Sequence, residues 1–175
     1  MKKTYIILII ALSSFKCFAP PINIGVNIKE IEQQYQINSF DTKEFTKENL
    51  IAYVKLYDSI HYEIIVKQSI LETGWFKSRL AKQHNNLFGM MHSKRKNAID
   101  IGVAYTYSVT YGEKTIIYHP SKYKHWTDSV KDYFLWRDYK LKQKNLHIDN
   151  YYTFLSKVGY AVESNYCRVL KTIKI

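Results

Sequence analysis

The segment SILETGWFKS, residues 69–78, contains one acidic residue, Glu72, which follows a run of apolar residues. Helical spacing places Glu72 on the same face as Gln68 and Trp75, and Gly74 is typical of a position at which a helix ends. The carboxyl group would then lie at the negative end of the helix dipole among side chains that exclude water, and both effects raise its pKa. A carboxylic acid that is still protonated near neutral pH can protonate a leaving oxygen, as glycoside hydrolysis requires. The alternative is a surface glutamate in a helix that continues for a further turn.

Two helices in the first half of the chain would position this carboxyl group. Thr46 is a candidate N-cap for a helix whose apolar residues recur at helical spacing, and a second helix is predicted from about Ser59 to Thr73. Residues 20–40 are expected to form an extended or loosely helical lead-in.

In the second half of the chain, the spacing of the apolar residues changes from helical to strand-like and then back to helical. Alternation from Tyr105 to Tyr111 and a second run from Thr115 to Tyr118, separated by Gly112, predict a β-hairpin. Three helices follow, with predicted boundaries at Thr127 (N-cap of the first), Gly159 (end of the second) and Ser164 (N-cap of the last). This order predicts an α+β fold in which helix dominates.

The N-terminal residues have the pattern of a secretory signal. Two lysines precede an apolar run from Tyr5 to Leu12, and small residues up to Ala19 offer a cleavage point. A membrane anchor would need about 20 apolar residues, and Lys16 interrupts the run too early for that. We therefore expect residues 1–19 to be a signal peptide. The mature protein would be secreted to the periplasm, the cell wall or the extracellular space, without stable insertion in a membrane.

The composition of the chain favours one compact domain with an anionic binding partner. The chain has 175 residues, of which 46% are hydrophobic, and its net charge of +11 falls to +8 once the three lysines of residues 1–19 are removed. One compact domain is expected at this length. A secreted basic protein meets anionic partners such as cell-wall polymers, and the lack of a nucleic-acid-binding motif argues against nucleic acid. The run HSKRKN, residues 92–97, is predicted to be a solvated surface turn.

Cysteine and histidine indicate neither a disulfide nor a metal site. Removal of residues 1–19 leaves Cys167 as the one cysteine, and the six histidines lack the i, i+4 spacing of a helical zinc site. We expect no metal and no cofactor, and a monomeric protein.

Four segments, in the same order, resemble the glucosaminidase family of peptidoglycan hydrolases, which includes bacterial autolysins and flagellar glucosaminidases. The segments are Glu72-Thr73-Gly74-Trp75, Asn86-Leu87-Phe88-Gly89, a Ser-x-x-Asp-Tyr core from Ser129 to Tyr133, and the Gly-Tyr-Ala segment around Tyr160 that precedes a tyrosine and an apolar helix. The resemblance covers roughly residues 45–175.

This resemblance implies a fold and an activity. The fold would be lysozyme-like, with a cleft between a helical lobe and the hairpin lobe. Residues 20–44 would lead into a catalytic domain at residues 45–175. The enzyme would be an endo-β-N-acetylglucosaminidase that binds peptidoglycan glycan strands and cleaves the β-1,4 bond between N-acetylglucosamine and N-acetylmuramic acid.

The resemblance also implies roles for individual residues. The catalytic acid of the family maps onto Glu72, and its active-site tyrosine maps onto Tyr160. The candidates for substrate binding are Trp75, Asn86, Phe88 and Tyr123. Phe88 and Trp75 could instead be core residues, and Tyr160 could pack a joint between helices.

Many relatives carry a second carboxylate on the hairpin. Here the hairpin contains only Glu113, just after the turn glycine; Asp100 is an earlier candidate, and Asp128 and Asp132 are expected to cap or brace their helix. Without a second carboxylate, the acetamido oxygen of the substrate could act as nucleophile, or a water could attack without a strong base. The alternative from another class is a non-catalytic domain that binds cell-wall glycan with the same fold.

Overall fold

The computed structural model describes residues 28–93, 95, 97–160 and 165–175. The predicted signal peptide, the start of the lead-in and the predicted cap Ser164 lie outside the described residues. Within them, the chain forms helices α1 (Ile28–Ser39), α2 (Lys47–Tyr57), α3 (Tyr62–Glu72), α4 (Arg79–His84), α5 (Trp126–Lys144), α6 (Tyr151–Val158) and α7 (Tyr166–Thr172), with strands β1 (Tyr107–Tyr111) and β2 (Lys114–Tyr118) between α4 and α5.

Side-chain caps fix where two of the helices begin. Thr46 accepts a hydrogen bond of 3.0 Å from the backbone N–H of Asn49, which confirms the predicted start of α2. The prediction that Thr127 caps α5 is wrong, because His125 occupies the N-cap position. The His125 ring accepts from the Thr127 N–H, and the carboxylate of Asp128 accepts from the His125 N–H. Asp128 therefore caps its helix, as predicted.

Two glycines with positive φ form predicted boundaries. β1 and β2 pair antiparallel with Tyr107 opposite Tyr118, and Gly112, at φ +60°, begins the two-residue turn between them. Gly159, at φ +64°, ends α6 in the left-handed conformation. The predicted hairpin and the predicted end of α6 are both confirmed.

Helix α3 is anchored by its buried face. Its side chains Ile65, Val66 and Ile70 are completely buried, and the helix packs against both α2 and α7. Each such side chain contributes about 1.5–3 kcal/mol when it is removed from water. This packing fixes the C-terminal end of α3, where Glu72 lies.

Part of the predicted lead-in is a regular helix. Helix α1 occupies residues 28–39, and Ile37 and Phe40 are buried at its end. Within the described residues, no helix is both long enough and apolar enough to cross a membrane.

A buried ion pair connects the basic segment at residues 92–97 to α5. The guanidinium group of Arg95 pairs with the carboxylate of Asp132, and these side chains are 8% and 1% exposed. The hydroxyl of Tyr123 donates to the other oxygen of Asp132 at 2.7 Å. The prediction of a solvated turn is therefore wrong for Arg95, because the buried carboxylate needs a compensating charge. The lysines on either side of Arg95 lie outside the described residues. Asp132 braces α5, as predicted.

Candidate active site

The backbone adopts the left-handed conformation soon after Glu72. Helix α3 ends at this residue, and Gly74, Trp75 and Phe76 follow with φ values of +54°, +59° and +61°. The Thr73 hydroxyl holds the turn, since it donates to a carbonyl in the last turn of α3 at 2.6 Å and accepts from the Phe76 N–H at 2.9 Å. Left-handed backbone costs roughly 1–2 kcal/mol at a residue other than glycine. Strain of this kind is concentrated at functional sites, and here it ends the helix directly behind the acidic residue.

The carboxyl group of Glu72 lies between the C-terminal helix and the loop at residues 86–89. The hydroxyl of Tyr166, on α7, donates to Oε1 at 2.7 Å. From the loop, Gly89 approaches so closely that a Cβ atom there would lie 3.1 Å from Oε2. Gly89 also has φ +62°, which favours glycine. The two oxygens of the carboxyl group therefore have different surroundings.

Asn86 gives this loop its shape from inside the protein. Its side-chain amide is fully buried and donates to the carbonyl groups of Met90 and Ser121 at 2.8 and 2.9 Å, while its oxygen accepts from the Met90 N–H at 3.0 Å. The N–H of Leu87 donates to the hydroxyl of Ser129 on α5 at 2.9 Å. The amide of Asn86 thus supports the loop. Contact between Asn86 and a substrate stays a prediction.

Tyr160 reaches the same loop from the segment after α6. Its hydroxyl donates to the carbonyl oxygen of Phe88 at 2.8 Å. Burial raises the pKa of Tyr160 well above its ordinary value, and the negative charge of Glu72 adds to this effect. Phe88 is 2% exposed and stacks on Tyr133 with ring centroids 4.3 Å apart. The geometry makes Tyr160 a support of the loop and Phe88 part of the core; catalytic and binding roles for them stay predictions.

Trp75 and Tyr123, two of the predicted substrate-binding residues, have opposite environments. Tyr123 is 3% exposed, and its hydroxyl is directed to the buried carboxylate of Asp132. Trp75 is 56% exposed and lines a groove of about 480 Å³ between the ends of α3 and α7, together with Leu71 and Val169. Trp75 is therefore accessible to a ligand, whereas Tyr123 is a buried residue that supports α5 through Asp132.

The hairpin carries a tyrosine, Tyr107, whose pKa is affected by the charge of Glu72. Burial raises the pKa of Tyr107, and the neighbouring tyrosines and the charge of Glu72 raise it further. The Tyr107 ring stacks on Tyr118, with centroids 5.0 Å apart. Glu113, the candidate second carboxylate, is exposed in the turn at the tip. At about 3.3 Å per strand residue, this tip lies roughly 15 Å along the hairpin from Tyr107.

Asp100, the other candidate carboxylate, forms hydrogen bonds that stabilise a loop. Its side chain is 3% exposed and lies 2.7 Å from Nδ1 of His92. It also accepts from the N–H of Gly102 at 3.0 Å and from the hydroxyl of Ser121 at 3.2 Å. Among the residues that the structure describes, no group of three or more histidine, cysteine or acidic residues could hold a metal ion.

Tyr166 is the residue at the site to which the sequence pattern assigned no role. It follows the Gly-Tyr-Ala segment closely enough to be noticed in the sequence, as the tyrosine before the last apolar helix. Its partner Glu72 lies 94 positions away along the chain, so the contact depends on how α7 docks.

Comparison with models of protein families identifies a family for most of the chain. The family model described as "Glucosaminidase: Mannosyl-glycoprotein endo-beta-N-acetylglucosaminidase" matches residues 47–174. No curated protein matches the sequence.

Solved structures share the fold at low sequence identity. A peptidoglycan hydrolase from Sphingomonas sp. A1 is 19% identical, with a TM-score of 0.52 over 69% of this chain and 78% of that chain. A mutant peptidoglycan hydrolase from the same organism is 18% identical, with a TM-score of 0.51 over 69% of this chain and 83% of that chain. The catalytic domain of the autolysin Auto from Listeria monocytogenes is 20% identical, with a TM-score of 0.49 over 88% of this chain and 94% of that chain. The likeness to the Sphingomonas structures, with the helices and hairpin described above, confirms the predicted mainly helical, lysozyme-like α+β fold.

Proposed function

Because the chain belongs to the glucosaminidase family, we propose that it is a peptidoglycan hydrolase that cleaves the β-1,4 bond between N-acetylglucosamine and N-acetylmuramic acid. The observation that carries the proposal is the setting of Glu72. This carboxyl group is partly buried at the end of α3, with Tyr166 donating to one oxygen and Gly89 packed against the other. Such a fixed carboxyl group suits the general acid of an endo-β-N-acetylglucosaminidase.

The first chemical step is proton transfer from Glu72. The protonated carboxyl group gives its proton to the glycosidic oxygen while the bond from that oxygen to the anomeric carbon breaks. Glu72 is left as a carboxylate. The hydrogen bond from Tyr166 strengthens at this point, because hydrogen bonds to a charged acceptor are about twice as strong as neutral ones.

The bond that forms at the anomeric carbon needs no carboxylate from the hairpin. The acetamido oxygen of the substrate attacks this carbon as the leaving group departs. Water later attacks the same carbon, the bond from the acetamido oxygen to that carbon breaks, and the proton lost by the water returns to the Glu72 carboxylate. The exposed position of Glu113 at the tip of the hairpin supports this route. Direct attack by water is the alternative, and a catalytic Glu113 would require a conformation that brings the hairpin tip to the substrate.

The choice of peptidoglycan as substrate has separate support. The two Sphingomonas structures with the same fold are described as peptidoglycan hydrolases. The predicted secretion signal and the net charge of +8 on residues 20–175 suit a partner in the cell wall. The family description names a mannosyl-glycoprotein as substrate, so both polymers belong in the test.

The test is digestion of both polymers by the purified protein, with borohydride reduction of the products and mass spectrometry. We expect peptidoglycan fragments with N-acetylglucosamine at the new reducing end. N-acetylmuramic acid at that end would make the protein a muramidase, and cleavage of the glycoprotein alone would reassign the substrate. Binding to peptidoglycan with no cleavage would favour the non-catalytic glycan-binding domain.

The site of action follows from the same proposal. The catalytic domain at residues 45–175 would act as a monomer after residues 1–19 are removed on export. N-terminal sequencing of the exported protein tests the cleavage, and sedimentation analysis tests the monomer.

A further inference from the structure

The two oxygens of the Glu72 carboxyl group are distinguished by their neighbours. Oε1 accepts a hydrogen bond of 2.7 Å from the Tyr166 hydroxyl, and Oε2 lies on the side of Gly89. A carboxylate can accept hydrogen bonds on both oxygens, but a protonated carboxyl group has one carbonyl oxygen and one hydroxyl oxygen. A donor fixed at one oxygen therefore favours the charged form of the group.

We infer that Tyr166 is a positioning residue that orients the carboxyl group of Glu72 through its hydrogen bond to Oε1 and makes Glu72 a stronger acid. This inference rests on the proposed role of Glu72 as general acid. A donor at Oε1 favours the charged form of the carboxyl group, so Glu72 releases its proton to the leaving oxygen more readily. Tyr166 also stabilises the carboxylate that remains after the proton has gone to the leaving oxygen.

The structure holds Tyr166 in place through α7. Tyr166 is 7% exposed, and Leu170, one turn later, is completely buried. The ring of Tyr166 also packs on Tyr160, with centroids 5.7 Å apart. Helix α7 packs against α3, which carries Glu72, so the hydroxyl and the carboxyl group belong to two packed helices rather than to a loop.

Tyr166 keeps its own proton throughout the working pH range. Burial raises the pKa of its hydroxyl, and the charge of Glu72 and the hydrogen bond to Glu72 raise it further. Tyr166 is therefore a neutral donor to Glu72 and is unsuited to act as a base or a nucleophile at neutral pH.

The first experiment measures the contact without any substrate. The pKa of the Glu72 carboxyl group is followed by ¹³C NMR in the wild type and in Tyr166→Phe, with Glu72→Gln used to assign the signal. Loss of a donor to the charged form should raise this pKa by about one unit. Among the described residues, Tyr107, Tyr160 and Tyr166 have pKa values that the charge of Glu72 helps to raise. Because all three have raised pKa values, they stay neutral during this titration.

The second experiment compares leaving groups. With the natural glycan, Tyr166→Phe should lower kcat about 10- to 100-fold, the value of one hydrogen bond to a charged group. With a dinitrophenyl glycoside of the same sugar chain, whose leaving group needs no proton, the loss should shrink to within about twofold. A residue that merely supported the fold would lower both rates equally.

The matched control is Tyr53→Phe. Tyr53 is completely buried and its hydroxyl lies 3.4 Å from that of Tyr57, so this variant also loses a buried hydroxyl but leaves the site intact. It should leave the Glu72 titration and both rates unchanged.

Two results would overturn the inference: an unchanged titration of Glu72 in Tyr166→Phe, or an equal loss of rate with both leaving groups. If the wild type cleaves no glycan, the proposed function fails, while the titration still decides whether Tyr166 controls Glu72.

Discussion

The backbone of Gly89 lies against the carboxyl group of Glu72, so that a methyl group at residue 89 would approach Oε2 to 3.1 Å. Gly89→Ala should therefore displace the carboxyl group. The shift needed is a few tenths of an ångström. Since misplacement of a reacting group by about 1 Å can cost roughly 10²-fold in rate, we expect a smaller loss in kcat, of about 10-fold. The hydrolysis rate on peptidoglycan and the free energy of unfolding should be measured together.

Gly112→Ala is the control for the backbone strain. Gly112 has φ +60°, close to the +62° of Gly89, but a Cβ atom there would meet nothing within 4 Å. Both variants should be destabilised by roughly 1–2 kcal/mol, and only Gly89→Ala should lose activity. Equal activity in the two variants would show that the close approach at Gly89 has no catalytic consequence.

Replacement of Glu72 by Gln should remove the proton donor while it keeps the size of the side chain and an acceptor for Tyr166. General acid–base catalysis contributes about 10²–10⁴-fold, so kcat should fall by at least 10² while the melting temperature and the binding to insoluble peptidoglycan are kept. Turnover near that of the wild type would remove Glu72 from the mechanism.

Replacement of Glu113 by Gln tests the hairpin carboxylate. Glu113 is exposed at the hairpin tip. We expect less than a threefold change in kcat, because in the proposed route the acetamido oxygen supplies the nucleophile. A loss comparable with that of Glu72→Gln would make Glu113 the second catalytic carboxylate and would exclude the substrate-assisted route.

The ion pair between Arg95 and Asp132 should matter for stability. Asp132→Asn leaves the Arg95 guanidinium group buried, with no charge to compensate it, and should lower the free energy of unfolding by about 3–5 kcal/mol in urea denaturation. Asp138→Asn, on the same helix, removes a carboxylate that is 62% exposed and should change stability by less than about 1 kcal/mol. Equal effects would mean that the pair is hydrated in solution.

Asp58 should make the stability depend on pH. Burial favours its neutral form, but the hydrogen bonds from His61 and the charge of Arg137 outweigh burial and lower the pKa of Asp58. A lowered pKa gives stability that is complete above the unfolded value of about 3.9 and is lost as the pH falls through the folded value. Asp58→Asn should therefore be less stable than the wild type near neutral pH, and the difference should shrink below about pH 4. A difference that stays constant down to about pH 2.5 would contradict the lowered pKa.

Signals local in the sequence were sufficient for several elements. Thr46 caps α2, Gly112 turns the hairpin and Gly159 ends α6 because each depends on the residue itself and a few neighbours. The end of α3 near Glu72 is local for the same reason, since Gly74 and the Thr73 hydroxyl terminate the helix. The four family-like segments added the fold class, which the structure confirms.

Other features depended on partners that are distant in sequence. His125 and Thr127 are both plausible caps for α5, and the His125 ring also contacts the backbone of Lys43 at 3.0 Å, an interaction that no local pattern reveals. The sequence predicted that Arg95 lies in a solvated basic turn, but the structure pairs it with the buried carboxylate of Asp132.

The sequence by itself predicted α2, α3, the hairpin and the three helices that follow it, and it predicted that Glu72 lies at the end of a helix. The tertiary structure alone decided which side chains meet that carboxyl group. Tyr166 donates to Glu72 across 94 residues, and Asn86 holds its loop through Ser121, 35 residues away. Caps and turns are fixed by dihedral preferences and neighbouring groups, whereas these contacts exist only because burial of apolar surface docks α7 against α3 and the loop against α5.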